Sequence, residues 1–138
     1  MRISAKVDYA LRAMLELAAA QGLVKGERLA SAQSIPVRFL ESILLDLRHH
    51  ELVSSQRGVD GGYALAKPAD QISLAEVIRA VEGPLATVRG ARPEDVEYTG
   101  VAQPLQGAWL ELRSAMRGVL EQTTLADLVG RVPRAKSP

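Results

Sequence analysis

The chain contains no cysteine. That excludes disulfides, thiolate metal sites, cysteine nucleophiles and cysteine-held iron–sulfur clusters, and it leaves the redox compartment undetermined. Aromatic residues make up only 4% of the chain, so the core must be built from Leu, Ile, Val and Ala, a composition that favours helices. The N-terminus lacks a hydrophobic signal core, and no apolar run approaches the roughly 20 residues of a membrane span. A cytoplasmic protein with no membrane partner is therefore expected. Neither charge dominates, with 17 Lys and Arg against 16 Asp and Glu. A net charge of +1 does not announce nucleic-acid binding, so that reading must rest on where the charges sit. The only two histidines, His49 and His50, are adjacent; on a helix they point about 100° apart and cannot chelate one ion together. No nucleophile–base set, Walker loop or metal motif is present, so catalysis, a metal and other cofactors are not expected.

What is present is an ordinary globular composition, 138 residues with 47% hydrophobic and 24% charged, long enough to bury a core in one domain. The chain is organised around residues 34–63. Pro36 suits a first helical position and pushes Ile35 out of helical geometry. Leu40, Ile43, Leu44 and Leu47 then recur at i, i+3, i+4 and i+7, one buried stripe. Arg38, Glu41, Ser42 and Arg48 lie off it, facing solvent. After Leu52 the pattern becomes extended, then reaches Arg57-Gly58-Val59-Asp60-Gly61-Gly62-Tyr63, whose Asp-Gly-Gly is a tight-turn signal. A short second helix, Lys25 to Gln33, with a turn at Ser34-Ile35-Pro36, completes a helix-turn-helix followed by a hairpin. A polar-faced helix with a Gly-tipped hairpin and an Arg at its base is what a winged helix needs to place the helix in a major groove and the Arg along the backbone or minor groove.

The flanks supply the rest of the core. Residues 4–21 read as a helix capped by Ser4, with Val7, Leu11, Met14, Leu17 and Ala18 inward and Gly22 as its stop. Arg2, Ser4 and Lys6 at its start suit a phosphate clamp, against the alternative of a solvated helix start. Lys67-Pro68 closes the hairpin, and Ser73-Leu74-Ala75-Glu76 reads as a capping box opening a helix that buries Leu74, Val77, Ile78 and Val81 and stops at Gly83-Pro84. Residues 84–103 read as an exposed connection. A long helix from Pro104 to about Gln122 carries Leu105, Trp109, Leu112, Met116 and Val119 at alternating spacings of four and three, a heptad pattern held for two repeats. It is either a dimer seam or an intramolecular core helix. Thr124 with Asp127 resembles a further capped turn, whose Leu125, Leu128 and Val129 would fold back on the seam. The organisation expected is thus a winged helix-turn-helix domain at 1–83, a connection at 84–103, a dimerisation helix and turn at 104–130, and a flexible tail at 131–138.

Val-Asp-Tyr-Ala-Leu-Arg-Ala (7–13), Ile-Pro-Val-Arg-Phe-Leu-Glu (35–41), Leu-Val-Ser-Ser-Gln-Arg-Gly (52–58), Gly-Gly-Tyr (61–63) and Val-Ile-Arg-Ala-Val-Glu-Gly (77–83) resemble the Rrf-two family, bacterial winged-helix regulators of iron–sulfur-cluster, nitric-oxide and cysteine metabolism. The resemblance runs from residue 1 to about residue 130. It implies a mainly helical homodimer with a small β-hairpin wing, joined by its long C-terminal helices and bound to a palindromic operator in double-stranded DNA. Carried over by position, Arg38, Glu41 and Ser42 face base edges, Arg57 enters the minor groove, and Gly58, Gly61 and Gly62 shape the tip. Arg48 and Ser54 are expected at the backbone, and Lys25, Pro36 and Val37 complete the contacting set with Arg2, Ser4 and Lys6. Cluster-bearing members carry cysteine ligands in the connection. This chain has none, and Asp8, where some relatives have an acidic ligand, cannot hold a cluster alone. Glu51 stands where a Gly usually follows the recognition helix.

The function expected is sequence-specific transcription regulation, as a repressor and without an iron–sulfur cluster. A small-molecule effector or protein partner at 84–103 is left unidentified, with Arg89, Arg92 and Trp109 as candidates. The rival is a winged helix that binds protein, with DNA binding weak or lost; counterion release makes salt dependence the discriminator. The purified protein is expected to be colourless and iron-free, and a visible absorbance band that tracks with bound iron would overturn this.

Overall fold

The first helix, α1 (Ala5–Ala19), begins where Ser4 turns from extended geometry and its hydroxyl oxygen accepts the Val7 N–H at 3.1 Å, a cap worth about 1 kcal/mol. It buries Val7, Ala10, Ala13, Met14 and Leu17; Leu11 and Ala18, expected inside, only lean on the core. The computed structural model to which these elements belong describes residues 1–133. Most of the expected C-terminal tail lies outside the described residues. After α1 come α2 (Gly26–Gln33), α3 (Val37–His49), a hairpin of β1 (Val53–Gln56) and β2 (Gly62–Leu65), then α4 (Leu74–Glu82), α5 (Leu105–Leu120) and α6 (Leu125–Gly130).

The predicted α3 stripe is the centre of the core: Leu40, Ile43, Leu44 and Leu47 are all buried. Pro36 is the N-cap of α3 rather than its first helical residue. At the other end Glu51 adopts φ 60°, its N–H bonds to the Arg48 carbonyl, and the Leu52 N–H reaches back to the Leu47 carbonyl. This is a Schellman ending built without the usual glycine. α2 ends the same way, with Ser34 at φ 53° and the Ile35 N–H on the Ala30 carbonyl.

The wing pairs Val53 with Leu65 through Gln56 with Gly62, antiparallel. Asp60-Gly61 does not close a two-residue turn; residues 57–61 form a longer loop tied by the Gly61 N–H to the Gly58 carbonyl. A Cβ at Gly61 would sit 2.2 Å from the Gln56 carbonyl oxygen, and one at Gly62 would sit 2.7 Å from that of Val24. The second contact exists because Val24 exchanges both backbone hydrogen bonds with Tyr63, an isolated antiparallel bridge on the free edge of β2.

α4 packs most extensively on α1, burying Ala75, Val77, Ala80 and Val81; Leu74 and Ile78, expected inside, lie at its margin. Ser73 caps it through the Glu76 N–H, but the Glu76 carboxylate pairs with Lys67 at 3.2 Å instead of returning to the cap. The complete capping box is at Thr124 and Asp127. Contrary to expectation, α6 does not fold back on α5. Its Leu125 enters the main core against α1, and its N–H bonds to the Ile72 carbonyl.

The connection between α4 and α5 is also less exposed than its polarity implies. Pro93 and Val96 are buried, and the Gln106 side-chain amide is shared among the carbonyls of Pro93, Glu94 and Val96 at 3.1–3.2 Å. Trp109 donates its indole N–H to the Tyr98 hydroxyl at 2.9 Å. None of the residues of α5 is buried in the single chain.

A left-handed Glu costs about 1 kcal/mol more than a left-handed Gly, offset in part by the greater unfolded-state entropy of glycine. Glu51→Gly is therefore expected to raise Tm by roughly 2–5 °C, and Glu51→Val to lower it. Thermal unfolding followed by circular dichroism checks both; no difference between them would show that this helix ending is not strained.

Candidate nucleic-acid interface

Burial of the α3 stripe leaves the opposite face of that helix outward. Val37, Arg38, Phe39, Glu41, Ser42, Leu45 and Arg48 are all exposed. The wing stands beside this face and is fixed to it by side chains. Arg48 of α3 donates to the Ser55 hydroxyl of β1 at 3.1 Å, and Lys25, the N-cap of α2, donates to the Gly58 carbonyl in the wing loop at 2.9 Å. Arg57 and Ser54 remain exposed on the wing. Between α2, α3 and the wing lies an open hollow of about 220 Å³ whose lining includes Lys25, Glu27, Val37, Glu41, Gln56 and Tyr63.

The helix-turn-helix is locked from behind by α1. Tyr9 meets Phe39 edge to face at 5.4 Å between centroids, and the Arg12 guanidinium lies 4.8 Å from the Tyr9 ring centre. Arg12 also donates to the Gln33 carbonyl at 2.7 Å and pairs with Asp8 at 3.0 Å. Gln33 in turn donates to Glu16 at 2.6 Å. These contacts hold the α2–α3 turn against α1, a role that reading the sequence did not assign to Arg12. No local pattern marks it, because its partner is 21 residues away.

The other expected contacts divide into two groups. Arg2, Arg38 and Arg57 form no ion pair among the described residues. Lys6 pairs with Asp46 of α3 at 2.8 Å, a partly exposed tie worth about 0–1 kcal/mol. The Ser4 hydroxyl oxygen is committed to the α1 cap, though its O–H can still donate. Lys25 and Arg48 bond only neutral partners, so both keep their full charge while bracing the wing. Leu105, Trp109, Leu112, Met116 and Val119 sit apart, on α5.

These features can be set beside known proteins. The family model described as "Rrf2: Iron-dependent Transcriptional regulator" matches residues 3–131. The putative HTH-type transcriptional regulator Rv1287 of Mycobacterium tuberculosis is 52% identical over 132 residues, covering 94% of this chain and 82% of that protein. HTH-type transcriptional regulator CymR of Bacillus subtilis is 34% identical over 130 residues, covering 93% and 89%. Among solved structures, that of CymR, the global cysteine regulator of B. subtilis, superposes with a TM-score of 0.81 at 32% identity, covering 96% of this chain and 99% of the other.

The iron dependence in the family's description meets a donor set that does not fit a cluster. The sequence offers no thiolate, and no group of three His, Asp or Glu is poised for a metal among the described residues. Asp8 is occupied by Arg12, and Glu94 in the connection by Arg92 and Arg113. The His50 Nδ1 lies 2.9 Å from the Asp46 carbonyl oxygen. With a family model spanning almost its whole length and relatives of this identity and coverage, the chain belongs to the Rrf2 family of winged-helix, DNA-binding transcriptional regulators, which are not enzymes.

Proposed function

We propose that the protein is a homodimeric repressor that binds a palindromic operator and acts, without an iron–sulfur cluster, in the cytoplasm at the nucleoid. The observation that carries the reading is the exposed polar face of α3 braced against a wing that projects Arg57. Arg38 suits guanine O6 and N7, Glu41 the cytosine amino group, and Ser42 either bases or phosphates. Pro36 and Val37 bring the start of α3 to the groove. Arg57 suits the narrow minor groove beside it. Arg2, Ser4, Lys6, Lys25, Arg48 and Ser54 suit the flanking phosphates; Gly58 keeps the wing tip slim, and Gly61 and Gly62 shape the wing by admitting the Gln56 and Val24 carbonyls.

The dimer is supported by α5. Leu105, Trp109, Leu112, Met116 and Val119 keep a heptad spacing, yet Leu105 is 41% and Val119 63% exposed. A heptad stripe left open in one chain is what a second copy covers. Two-fold pairing then presents two α3 helices to half-sites related by the same symmetry. Repression needs only occupancy of a promoter, whereas activation needs a further surface for the transcription machinery. An effector would act by changing the spacing of the two recognition helices.

Selection from random duplex DNA is expected to enrich one palindrome. Arg57→Ala should weaken that duplex by about tenfold or more, roughly 1–3 kcal/mol, and lower the slope of log K against log salt by about one. Failure to enrich any duplex at low salt would reject the reading in favour of a protein-binding winged helix. Separately, Val119→Glu is expected to convert a sedimenting dimer into a folded monomer, since Val119 lies outside the core of the single chain. A dimer unaffected by this substitution, or a wild-type protein that sediments as a monomer, would exclude the α5 seam.

A further inference from the structure

Between the C-terminal end of α4, the first part of the connection and the second half of α5 lies an open hollow of about 380 Å³, within the usual range of small-molecule sites, about 300–1,000 Å³. Four of its lining side chains are arginines: Arg79 from α4, Arg92 from the connection, and Arg113 and Arg117 from α5. Two carboxylates answer them. Glu121 lies 2.6 Å from Arg79 and 3.9 Å from Arg117; Glu94 lies 2.7 Å from Arg92 and 2.6 Å from Arg113. Glu94 is ionised, since its own backbone N–H, with Arg113 and Arg92, holds its carboxyl below the usual range. The negative end of α4 contributes about half a charge more. More than one positive charge is left over around the hollow.

The donors left over matter as much as the charge. These pairings use Nη2 of Arg79, Nε of Arg92, Nη1 of Arg113 and Nε of Arg117. The other guanidinium nitrogens of the four have no side-chain or backbone acceptor among the described residues. Planar forks with free N–H groups match the paired oxygens of carboxylate and phosphate. The rest of the lining is Gly83, Pro84, Leu85 and Ala86, a short uncharged wall suited to a small aliphatic body.

We propose that this hollow binds a small organic dianion, a dicarboxylate or a phosphate monoester, between α4 and α5. The ligand bridges the helix that packs on α1 and α3 to the helix that carries the exposed heptad stripe. Its role as an effector rests on the DNA-binding reading above; its binding does not. The experiment is titration of the full chain, without DNA and at constant ionic strength, with succinate, with glycerol phosphate, and with acetate as the monoanion. Emission of Trp109, one helical turn before Arg113, and the melting temperature are the two readouts. Succinate or glycerol phosphate is expected to give a saturable response and a rise in melting temperature, and whichever acts identifies the class. Arg92→Gln and Arg117→Gln, both at well-exposed side chains, should each weaken it by about tenfold or more, while Arg28→Gln on α2 should not. No saturable response to either dianion up to about 10 mM, an equal response to acetate, or a response undiminished in both arginine variants would overturn the proposal. Because DNA is absent, failure of the operator reading leaves the result unaffected.

Discussion

The rotation of α3 about its own axis is the constraint on which the interface depends. Leu40, Ile43, Leu44 and Leu47 are all but removed from solvent, and turning α3 by one residue would expose part of that stripe at several kcal/mol. Rotation fixed in this way decides which side chains face outward, and so puts Arg38, Glu41 and Ser42 on one surface. The two ends of the helix then fix its axial position. Ser34 and Glu51 hold left-handed conformations so that α2 and α3 can turn sharply at both boundaries, and Leu52 passes directly from the helix end into the core. The wing follows without slack. Backbone strain at these two non-glycine positions is the cost of that placement, borne by the hydrophobic packing around them.

Charge is organised by pairing rather than by number. With a net charge of +1, the chain as a whole exerts little pull on a polyanion. Yet Arg79, Arg92, Arg113 and Arg117 share two carboxylates, Glu94 and Glu121, away from α3 and the wing, while Arg2, Lys25, Arg28, Arg38, Arg48 and Arg57 have no ion-pair partner among the described residues. Glu41 stands among these free cations. On the proposed reading, a carboxylate there would be repelled by phosphate and satisfied only by a donor on a base edge, so it would contribute discrimination rather than affinity. Weak general attraction combined with a selective face suits a regulator that must leave non-specific DNA readily.

What the sequence disclosed and what it hid follow from the range of the interactions. The α3 stripe, the Ser4 cap and the helix over Leu105–Leu120 are periodic or local, and each appears in the structure where the pattern puts it. Most of the failures are long-range. Ser73-x-x-Glu76 has the form of a capping box, but Lys67 reaches Glu76 from another segment and takes its carboxylate, whereas Asp127 forms no ion pair among the described residues and closes its box with Thr124. The apolar spacing of Leu125, Leu128 and Val129 shows that α6 must pack somewhere, but not on which surface. Nothing near Val24 indicates that it will pair with Tyr63. The four arginines of the α4–α5 hollow are spread over 39 positions (79 to 117), so only the fold brings them together.

The contrast between the two halves of the molecule also bears on how a signal would travel. The connection carries no cysteine with which to hold a cluster. It is held instead by the Gln106 amide, by the Trp109–Tyr98 hydrogen bond and by Glu94 between two arginines. Polar ties of this kind at an exposed surface are individually weak, whereas a buried Leu in the α3 stripe secures about 2–5 kcal/mol. A modest free-energy change can therefore rearrange the connection without disturbing the stripe. α4 lies between the two, with Val77 and Val81 in the same core as α3 and Arg79 turned to the connection. A binding event at its C-terminal end would shift a rigid helix against the core rather than melt it. On the proposed reading, the soft part of the fold would receive the input and the stiff part would carry it to α3.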